Sequence, residues 1–187
     1  MRLPAADRNR LIAIIKRRSV QTGTTFTLAS GRTSDFYCNL KPTMLDPEGA
    51  YLIGALLADA LAGIEVDLVG GLEMGAVPLA TSVAAISFAR GKPLPAFFVR
   101  KAAKDHGTKS LVEGLVRGDK LAGKRVAILE DVTTTGGSSL QAIAACRAEG
   151  ATIVRVITVV DRQEGAAEAF AAANAPFAAL IAAAELR

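Results

Sequence analysis

The middle of the chain alternates short, nearly continuous apolar runs with longer segments that have helical periodicity. Strands are predicted at Val66 to Gly70, Pro95 to Val99, Arg125 to Leu129 and Ile153 to Val160. Helices are predicted between them, from about Gly75 to Ala89 and from Gly137 to Glu149. Apolar runs without a polar face are typical of parallel strands that helices cover on both sides. The alternation therefore predicts an α/β protein with a central parallel sheet.

Both ends of the chain add elements to this block. We predict helices at Leu3 to Arg18 and Ala166 to Ala173, and strands at Thr24 to Leu28, Asp35 to Leu40 and Phe177 to Ile181. Asp46-Pro47-Glu48 predicts the start of a helix that runs to about Leu61, because Asp caps helices and Pro is favoured at the first helical position. With 187 residues, the chain has the length of a single domain.

The net charge and the cysteine content indicate which kinds of ligand the protein can bind and in which cellular compartment it works. The net charge of +4 suits a small anionic substrate and is too low to indicate nucleic-acid binding by itself. Cys38 and Cys146 are too few for a disulfide framework or a zinc site, so we expect two core thiols in a reducing compartment. We see no signal peptide, and the longest apolar stretch, Leu52 to Ile64, is too short to cross a membrane. We therefore expect a cytoplasmic protein without a membrane partner.

The strongest chemical signal is the segment Arg125 to Ser139, RVAILEDVTTTGGSS. Its apolar strand ends in two carboxylates, Glu130 and Asp131, and a loop of small hydroxyl and glycine residues leads into a helix. Parallel sheets bind ligands at the carboxyl ends of their strands. Backbone N–H groups of the loop and of the helix N-terminus form an anion cradle that suits a phosphate monoester, and the carboxylates can accept hydrogen bonds from sugar hydroxyls. The segment has neither the lysine of a Walker A loop nor the glycine spacing of a dinucleotide-binding turn.

A second distinctive segment, residues 100–118, is rich in charge and lacks apolar periodicity. It contains Arg100, Lys101, Lys104 and His106, which is the only histidine of the chain. A long segment without periodicity inside a compact domain is usually functional. Its cations can close over an anionic group, exclude water and neutralise developing charge. The alternative is a solvated basic loop.

The segment ILEDVTTTGGSS resembles the phosphoribosyl-diphosphate-binding motif of type I phosphoribosyltransferases. The resemblance implies their fold, a parallel sheet flanked by helices with a small N-terminal hood, and transfer of a 5-phosphoribosyl group to a nitrogenous base. It implies that Glu130 and Asp131 hold the ribose hydroxyls. The residues that it assigns to phosphoribosyl diphosphate also include Thr133, Thr134, Thr135, Gly136, Gly137 and Ser138.

Three further stretches resemble the orotate phosphoribosyltransferases. Phe26 to Leu40 is similar to their hood, Arg100 to Gly114 to their mobile catalytic loop, and Val159 to Ala166 to the segment whose arginine contacts the substrate carboxylate. The resemblance implies that the chain makes orotidine 5′-monophosphate in pyrimidine biosynthesis. It also implies a hood at about residues 20–45 together with the C-terminal segment, a core at about 46–165 and a mobile loop at about 100–118.

The same resemblance suggests roles for individual residues. For catalysis it implies Arg100, Lys101, Lys104, His106 and Asp131. For orotate it implies Arg162 as the carboxylate partner, with Thr134, Phe36, Tyr37 and Lys41 around the base. It further implies Mg²⁺ that is held mainly by the substrate, with no metal site of the protein alone. The expected assembly is a homodimer with shared active sites.

The sequence departs from the family pattern at two positions, and other functions stay open. Many family members have lysine where this chain has Ala29 and Gly75. Lys41 is our candidate to replace the first of these cations. The alternatives are a purine-type phosphoribosyltransferase and a regulator that senses phosphoribosyl diphosphate and binds nucleic acid. For Arg162, the alternative role is a surface ion pair with Glu164.

Overall fold

The computed structural model describes residues 5–27, 33–102 and 110–187. The helices of these ranges are α1 Ala5–Ser19, α2 Lys41–Met44, α3 Pro47–Leu61, α4 Ala76–Ala89, α5 Gly137–Ala148 and α6 Ala166–Ala172, with a final 3₁₀ turn at Ala183–Leu186. The strands are β1 Val20–Thr27, β2 Thr33–Cys38, β3 Leu68–Gly70, β4 Phe98–Val99, β5 Val112–Glu113, β6 Arg125–Thr133, β7 Thr152–Asp161 and β8 Phe177–Ala182.

The centre of the fold is a parallel sheet with the strand order β3-β6-β7-β8. Parallel bridges from Val69 to Ala96 and from Leu72 to Val99 attach the β4 segment to the outer side of β3. β4 pairs in turn with the short antiparallel strand β5. The alternation of apolar runs and helices thus correctly predicts the α/β architecture. No helix in the described ranges is long and apolar enough to cross a bilayer.

Side chains that alternate along β6 separate the core into two layers. Ala127 and Leu129 pack with the layer of α1, α3 and α4, whereas Val126 and Ile128 pack with the layer of α5 and α6. Because successive side chains of a strand point to opposite faces, the next two residues should also diverge. Glu130 therefore lies on the α5 side of the sheet and Asp131 on the α4 side.

An antiparallel hairpin and the C-terminal segment lie next to helix α1. β1 pairs with β2 from Val20 opposite Cys38 to Thr27 opposite Thr33. At the other end of the chain, Arg8 of α1 donates a hydrogen bond to the Leu180 carbonyl at 2.9 Å and forms an ion pair with Glu185 at 2.7 Å. The N-terminal helix thus joins the last strand and turn of the chain.

Several elements of the structure differ from the prediction. β6 continues through Thr133 instead of ending at Leu129, because β7 pairs with it as far as Asp161. Thr133 is therefore a strand residue and not a loop residue. The segment 100–118 was predicted to be structureless, but Val112 and Glu113 form β5. The short helix α2 was not predicted; its Pro42 stands in the first turn, where the missing N–H costs nothing. Ala29, Lys104 and His106 lie outside the described residues.

Asp46 caps helix α3 as the sequence predicts, since its Oδ1 accepts a hydrogen bond from the Gly49 N–H at 2.9 Å. The second carboxylate oxygen pairs with Arg18 at 2.5 Å. We expect Asp46→Ala to lower the free energy of unfolding by about 1–2 kcal/mol, the usual cost of losing a cap. Asp46→Asn keeps a capping oxygen and loses the ion pair, so it should retain most of that stability. Urea denaturation of both variants would test this, and equal losses would contradict the cap assignment.

Candidate active site

The chain reverses its direction of travel across the sheet between β3 and β6. From β3 the chain passes through α4 to β4 on one side, and from β6 it passes through α5 to β7 on the other. Ligands of open parallel sheets bind in the crevice at such a switch point. A cavity of about 380 Å³ lies here. It is lined by Lys41, Leu72, Glu73, Met74, Gly75, Lys101, Glu130, Asp131 and Ser138.

Glu130 is a buried carboxyl group at the inner wall of this crevice. It is only 7% exposed, and Ser139 in the first turn of α5 donates a hydrogen bond from Oγ to its Oε2 at 2.8 Å. Burial raises the pKa of Glu130 to about 8; the Ser139 hydroxyl opposes this shift and the negative charge of Asp131 adds to it. Glu130 is therefore largely protonated at neutral pH before a ligand enters.

Asp131 packs against the backbone of the loop that follows β3. A Cβ atom added to Gly75 would lie 2.6 Å from Oδ1 of Asp131, and one added to Gly71 would lie 2.3 Å from the Leu129 carbonyl oxygen. A side chain at position 71 would therefore clash with the backbone, and one at position 75 would have to displace the Asp131 carboxylate. The glycines therefore let this loop, residues 71–75, approach the end of β6, and the family's lysine cannot stand at position 75 with Asp131 as it is placed here.

We expect Gly75→Ala to displace the Asp131 carboxylate and to reduce kcat/KM for phosphoribosyl diphosphate by about tenfold or more, as misplaced catalytic groups commonly do. The distances at Gly75 give the physical reason. Gly63→Ala is the control away from the site: a Cβ there meets no atom of the described residues within 4 Å, although its positive φ of 82° adds local strain. Steady-state kinetics of both variants would test the prediction. Wild-type kinetics in Gly75→Ala would contradict it.

The phosphate-cradle segment, residues 134–138, joins β6 to α5. Gly136 precedes the helix with a φ of 85°, and a Cβ there would lie 2.9 Å from the ring of Phe170. Glycine relieves both constraints, and it carries no side chain that would cap α5. The first-turn N–H groups of a helix have no partner within the helix, so they remain available to an anion. Ser138 lines the cavity beside them.

Thr133 differs from the other predicted phosphate-binding residues. Its side chain is buried, and within the described residues its Oγ1 has no hydrogen-bond partner. Its carbonyl oxygen accepts a hydrogen bond from the Arg162 N–H at 2.9 Å. Thr133 thus joins the end of β6 to the start of the Arg162 segment, while Thr134 and Thr135 stand in the cradle itself.

Arg162, which the sequence predicts to contact the orotate carboxylate, follows β7 and lies beside the end of β6 at Thr133. Its side chain is only 9% exposed, Nε donates to Glu164 Oε1 at 2.7 Å, and the guanidinium lies over the Phe36 ring at 5.8 Å. The ion pair with Glu164 that the sequence suggested exists, but it is not a surface pair. Phe36 is buried and Tyr37 is 38% exposed, as strand alternation requires.

Cys38 is the last residue of β2, and both Asp131 and Arg162 act on its thiol. Burial raises the pKa of its thiol to about 12; the negative charge of Asp131 raises this pKa and the positive charge of Arg162 lowers it. The thiol therefore lies within electrostatic range of both residues. We predicted Cys38 to be a small core residue, and it also contacts the apolar layer of α1, α3 and α4. Its spacing of two from Phe36 was the available signal that it shares a strand face with that ring.

In the described part of the basic segment, Lys101 lines the cavity, as does Lys41 of α2. Arg100 forms an ion pair with Glu113 of β5 at 3.7 Å, and among the residues that the structure describes its buried Nε has no hydrogen-bond partner. In the described ranges, no group of three or more His, Cys, Asp or Glu side chains is arranged to hold a metal ion.

The fold and the site define the class of protein. The family model described as "Phosphoribosyl transferase domain" matches residues 45–172, which include the acid pair, residues 134–138 and every lining residue of the cavity except Lys41. A curated orotate phosphoribosyltransferase of Rhodopseudomonas palustris strain BisB5 is 58% identical over 181 residues, 97% of this chain and 96% of the relative. This chain therefore belongs to the orotate phosphoribosyltransferase family.

Solved structures agree with this assignment. The orotate phosphoribosyltransferase of Mycobacterium tuberculosis in complex with Fe(III) dicitrate superimposes with a TM-score of 0.83 at 40% identity, covering 96% of this chain and 98% of that one. The same enzyme in complex with 5-phospho-alpha-D-ribosyl 1-diphosphate has a TM-score of 0.79 at 38% identity, with the same coverage.

Proposed function

We propose that this chain transfers the 5-phosphoribosyl group of 5-phosphoribosyl 1-diphosphate to orotate, with orotidine 5′-monophosphate and diphosphate as products. The product is a pyrimidine nucleotide, so the reaction belongs to the de novo synthesis of UMP. The observation that carries the proposal is the position of two carboxyl groups, Glu130 and Asp131, beside the open N-terminus of α5. This geometry matches a ribose that carries a phosphate.

The ribose 5-phosphate part of the substrate fits the end of β6. The vicinal hydroxyls donate to the carboxylates of Glu130 and Asp131, while the 5-phosphate accepts from the N–H groups of the cradle and the first turn of α5. A positive charge develops on the ribosyl group as the bond to diphosphate breaks. The carboxylates stabilise that charge, because they are held in place before the reaction begins.

Orotate fits beside Arg162 and the Phe36 ring. The Arg162 guanidinium offers paired N–H donors to the orotate carboxylate, and Thr134 and the segment from Phe36 to Cys38 adjoin the base. Orotate N1 is nucleophilic as an anion, so the protein does not have to supply a strong base. Positioning and electrostatics then carry the reaction without a covalent enzyme intermediate.

The leaving diphosphate fits the cationic wall. Lys41, Lys101 and Arg100 bring positive charge toward it, and Lys104 and His106 are our candidates to complete that charge. His106 is suited to donate a proton to the diphosphate as it departs. Exclusion of water by this segment protects the ribosyl group from hydrolysis.

Magnesium is the cofactor that we propose. The oxygen-rich donor set of the crevice, with Asp131 and Glu130 beside the substrate's hydroxyl and phosphate oxygens, fits a hard cation that keeps several waters. When bound, Mg²⁺ neutralises part of the diphosphate charge. Omission of Mg²⁺ should therefore abolish turnover. Cys38 and Cys146 are free thiols, which supports a reducing, cytoplasmic setting.

We also propose a homodimer in which each subunit completes the site of the other. A mixture of inactive Lys104→Ala subunits with inactive Glu130→Gln, Asp131→Asn subunits should regain about a quarter of wild-type activity, since one site of each mixed dimer then carries no substitution. Activity measured after subunit exchange tests this. An exchanged mixture that stays inactive would contradict shared sites.

The proposed function is tested by following orotate ultraviolet absorbance in the presence of phosphoribosyl diphosphate and Mg²⁺. We expect a loss of absorbance that requires the enzyme and both additions. A folded protein that binds phosphoribosyl diphosphate and does not consume orotate would contradict the base assignment. Adenine, guanine and hypoxanthine are the comparison substrates in the same assay.

A further inference from the structure

Both backbone polar groups of Lys101 are held by side chains from other parts of the fold. Its N–H donates to Oε1 of Glu73 at 3.0 Å, and its carbonyl oxygen accepts from Nε2 of Gln141 at 3.1 Å. Glu73 belongs to the loop after β3, and Gln141 belongs to the first turns of α5. Lys101 is thus fixed between the loop that packs on Asp131 and the helix that begins at the phosphate cradle.

The Glu73 carboxylate extends a regular hydrogen-bond ladder by one rung. The Val99 N–H donates to the Gly71 carbonyl and the Glu73 N–H donates to the Val99 carbonyl, each at 2.8 Å. The next donor along the segment is the Lys101 N–H, and a side-chain oxygen of Glu73 takes the place of the missing strand carbonyl. The intervening N–H of Arg100 points to the other neighbour and donates to Leu111 at 2.9 Å.

A glutamate at position 73 adds negative charge to a cavity that is proposed to bind a polyanion, so its presence needs a physical reason. Glu73 lines the same cavity as Glu130 and Asp131, and a third carboxylate there repels a polyanionic substrate. A glutamate that only filled space would therefore weaken binding. As the acceptor for the Lys101 N–H, it orders the backbone of a residue that lines the same cavity.

We propose that Glu73 and Gln141 are positioning residues that hold the Lys101 peptide so that its ammonium group meets the diphosphate. This proposal rests on the proposed function, since it assigns the cavity to phosphoribosyl diphosphate. Neither Glu73 nor Gln141 needs to contact the substrate. Their effect reaches the reaction through Lys101.

The first experiment compares Glu73→Gln with Glu73→Ala. Glutamine keeps an acceptor oxygen and removes the charge, so we expect kcat/KM for phosphoribosyl diphosphate within about twofold of wild type. Alanine removes the acceptor, and we expect about a tenfold loss, the size of one hydrogen bond that orders a charged group. Equal losses in the two variants would overturn the proposal. Thermal unfolding of each variant verifies that it is folded.

The second experiment repeats Glu73→Ala in a Lys101→Ala background. A residue that acts only through the Lys101 ammonium has nothing left to position, so we expect less than about twofold further loss. A further loss as large as in the wild-type background would overturn the proposal. Mg²⁺ titrations of the Glu73 variants should have unchanged midpoints, whereas a shifted midpoint would make Glu73 a metal ligand instead.

Gln141 provides an independent test from the helix side. Gln141→Ala should reduce kcat/KM by about threefold, and Gln141→Glu by more, because its carboxylate repels the Lys101 carbonyl oxygen. Wild-type kinetics in Gln141→Glu would overturn the role of this residue. Calorimetry without orotate measures the dissociation constant of phosphoribosyl diphosphate for every variant, and this constant should rise in the same variants that lose kcat/KM. A wild-type protein that binds it without consuming orotate would therefore refute the proposed function alone.

Discussion

Replacement of Arg162 by alanine is expected to raise KM for orotate by about 100-fold, the scale of a lost bidentate, charge-assisted contact in a buried site. The guanidinium is nearly buried, and Glu164 and the Phe36 ring hold it in one orientation. An arginine that is ordered in advance loses little entropy when it binds a planar carboxylate. The effect should therefore appear in the binding of orotate and not in that of phosphoribosyl diphosphate.

Steady-state kinetics with orotate as the varied substrate would measure this effect. The dissociation constant of phosphoribosyl diphosphate should stay within about twofold, which separates loss of a contact from loss of the fold. Glu164→Gln is the matched control: it keeps an acceptor oxygen for Arg162 Nε, and we expect KM for orotate to change by less than about threefold. An unchanged KM in Arg162→Ala would mean that this arginine serves only its neighbours in the protein.

Phosphoribosyl diphosphate should bind more tightly as the pH rises toward 8, because of Glu130. Burial raises the pKa of this carboxyl group to about 8, so the free site carries a proton at neutral pH. Two ribose hydroxyls donate more strongly to a carboxylate than to a protonated acid, so binding favours release of that proton. The dissociation constant should then fall by up to about tenfold per pH unit below 8 and level off above it.

Glu130→Gln is the control for this linkage, because the amide has nearly the shape of the protonated acid and does not titrate. Calorimetry from pH 6.5 to 8.5 should show a steeper pH dependence for the wild type than for the variant. The phosphate groups, whose second pKa is about 6, titrate equally with both proteins and cancel in the difference. Identical slopes would contradict proton release from Glu130.

The same raised pKa determines how stability changes with pH. In the unfolded chain Glu130 titrates near its ordinary pKa of about 4.5, so between that value and about 8 the folded state binds the extra proton. Its contribution to stability is therefore complete at low pH and is lost as the pH rises through this window. Urea unfolding at pH 5 and pH 8 should show this loss in the wild type, and it should be smaller in Glu130→Gln.

Local patterns were sufficient to predict most elements of the fold, and they also point to a candidate site. The start of α3 is predicted by Asp46 and Pro47, because a cap and a fixed φ act within one turn of the chain. Glu130 and Asp131 stand out because charged residues rarely follow a buried apolar run without a function. The segment after them predicts an anion cradle for the same local reason: glycine and a helix start are adjacent in the chain.

Elements that depend on a distant partner could not be predicted in this way. β6 extends four residues past its apolar run because β7 continues beside it, and β5 exists because β4 lies opposite. The different surroundings of Glu130 and Asp131 also could not be predicted from the sequence alone. Strand alternation separates Glu130 from Asp131, but only the packing of the layers sends one toward Ser139 and the other toward Gly75.

The amino-acid sequence by itself therefore determined the α/β class, through the alternation of apolar runs with helical segments, and it singled out the acid pair and the glycine-rich loop as a candidate site because their pattern spans only a few positions. The tertiary structure alone decided which side chains meet across the crevice. Lys101 contacts Glu73 and Gln141, which are 28 and 40 positions away, and Arg162, the residue after β7, lies over the Phe36 ring of β2. The physical reason is that such contacts are created by the register and order of the strands, which no local periodicity encodes.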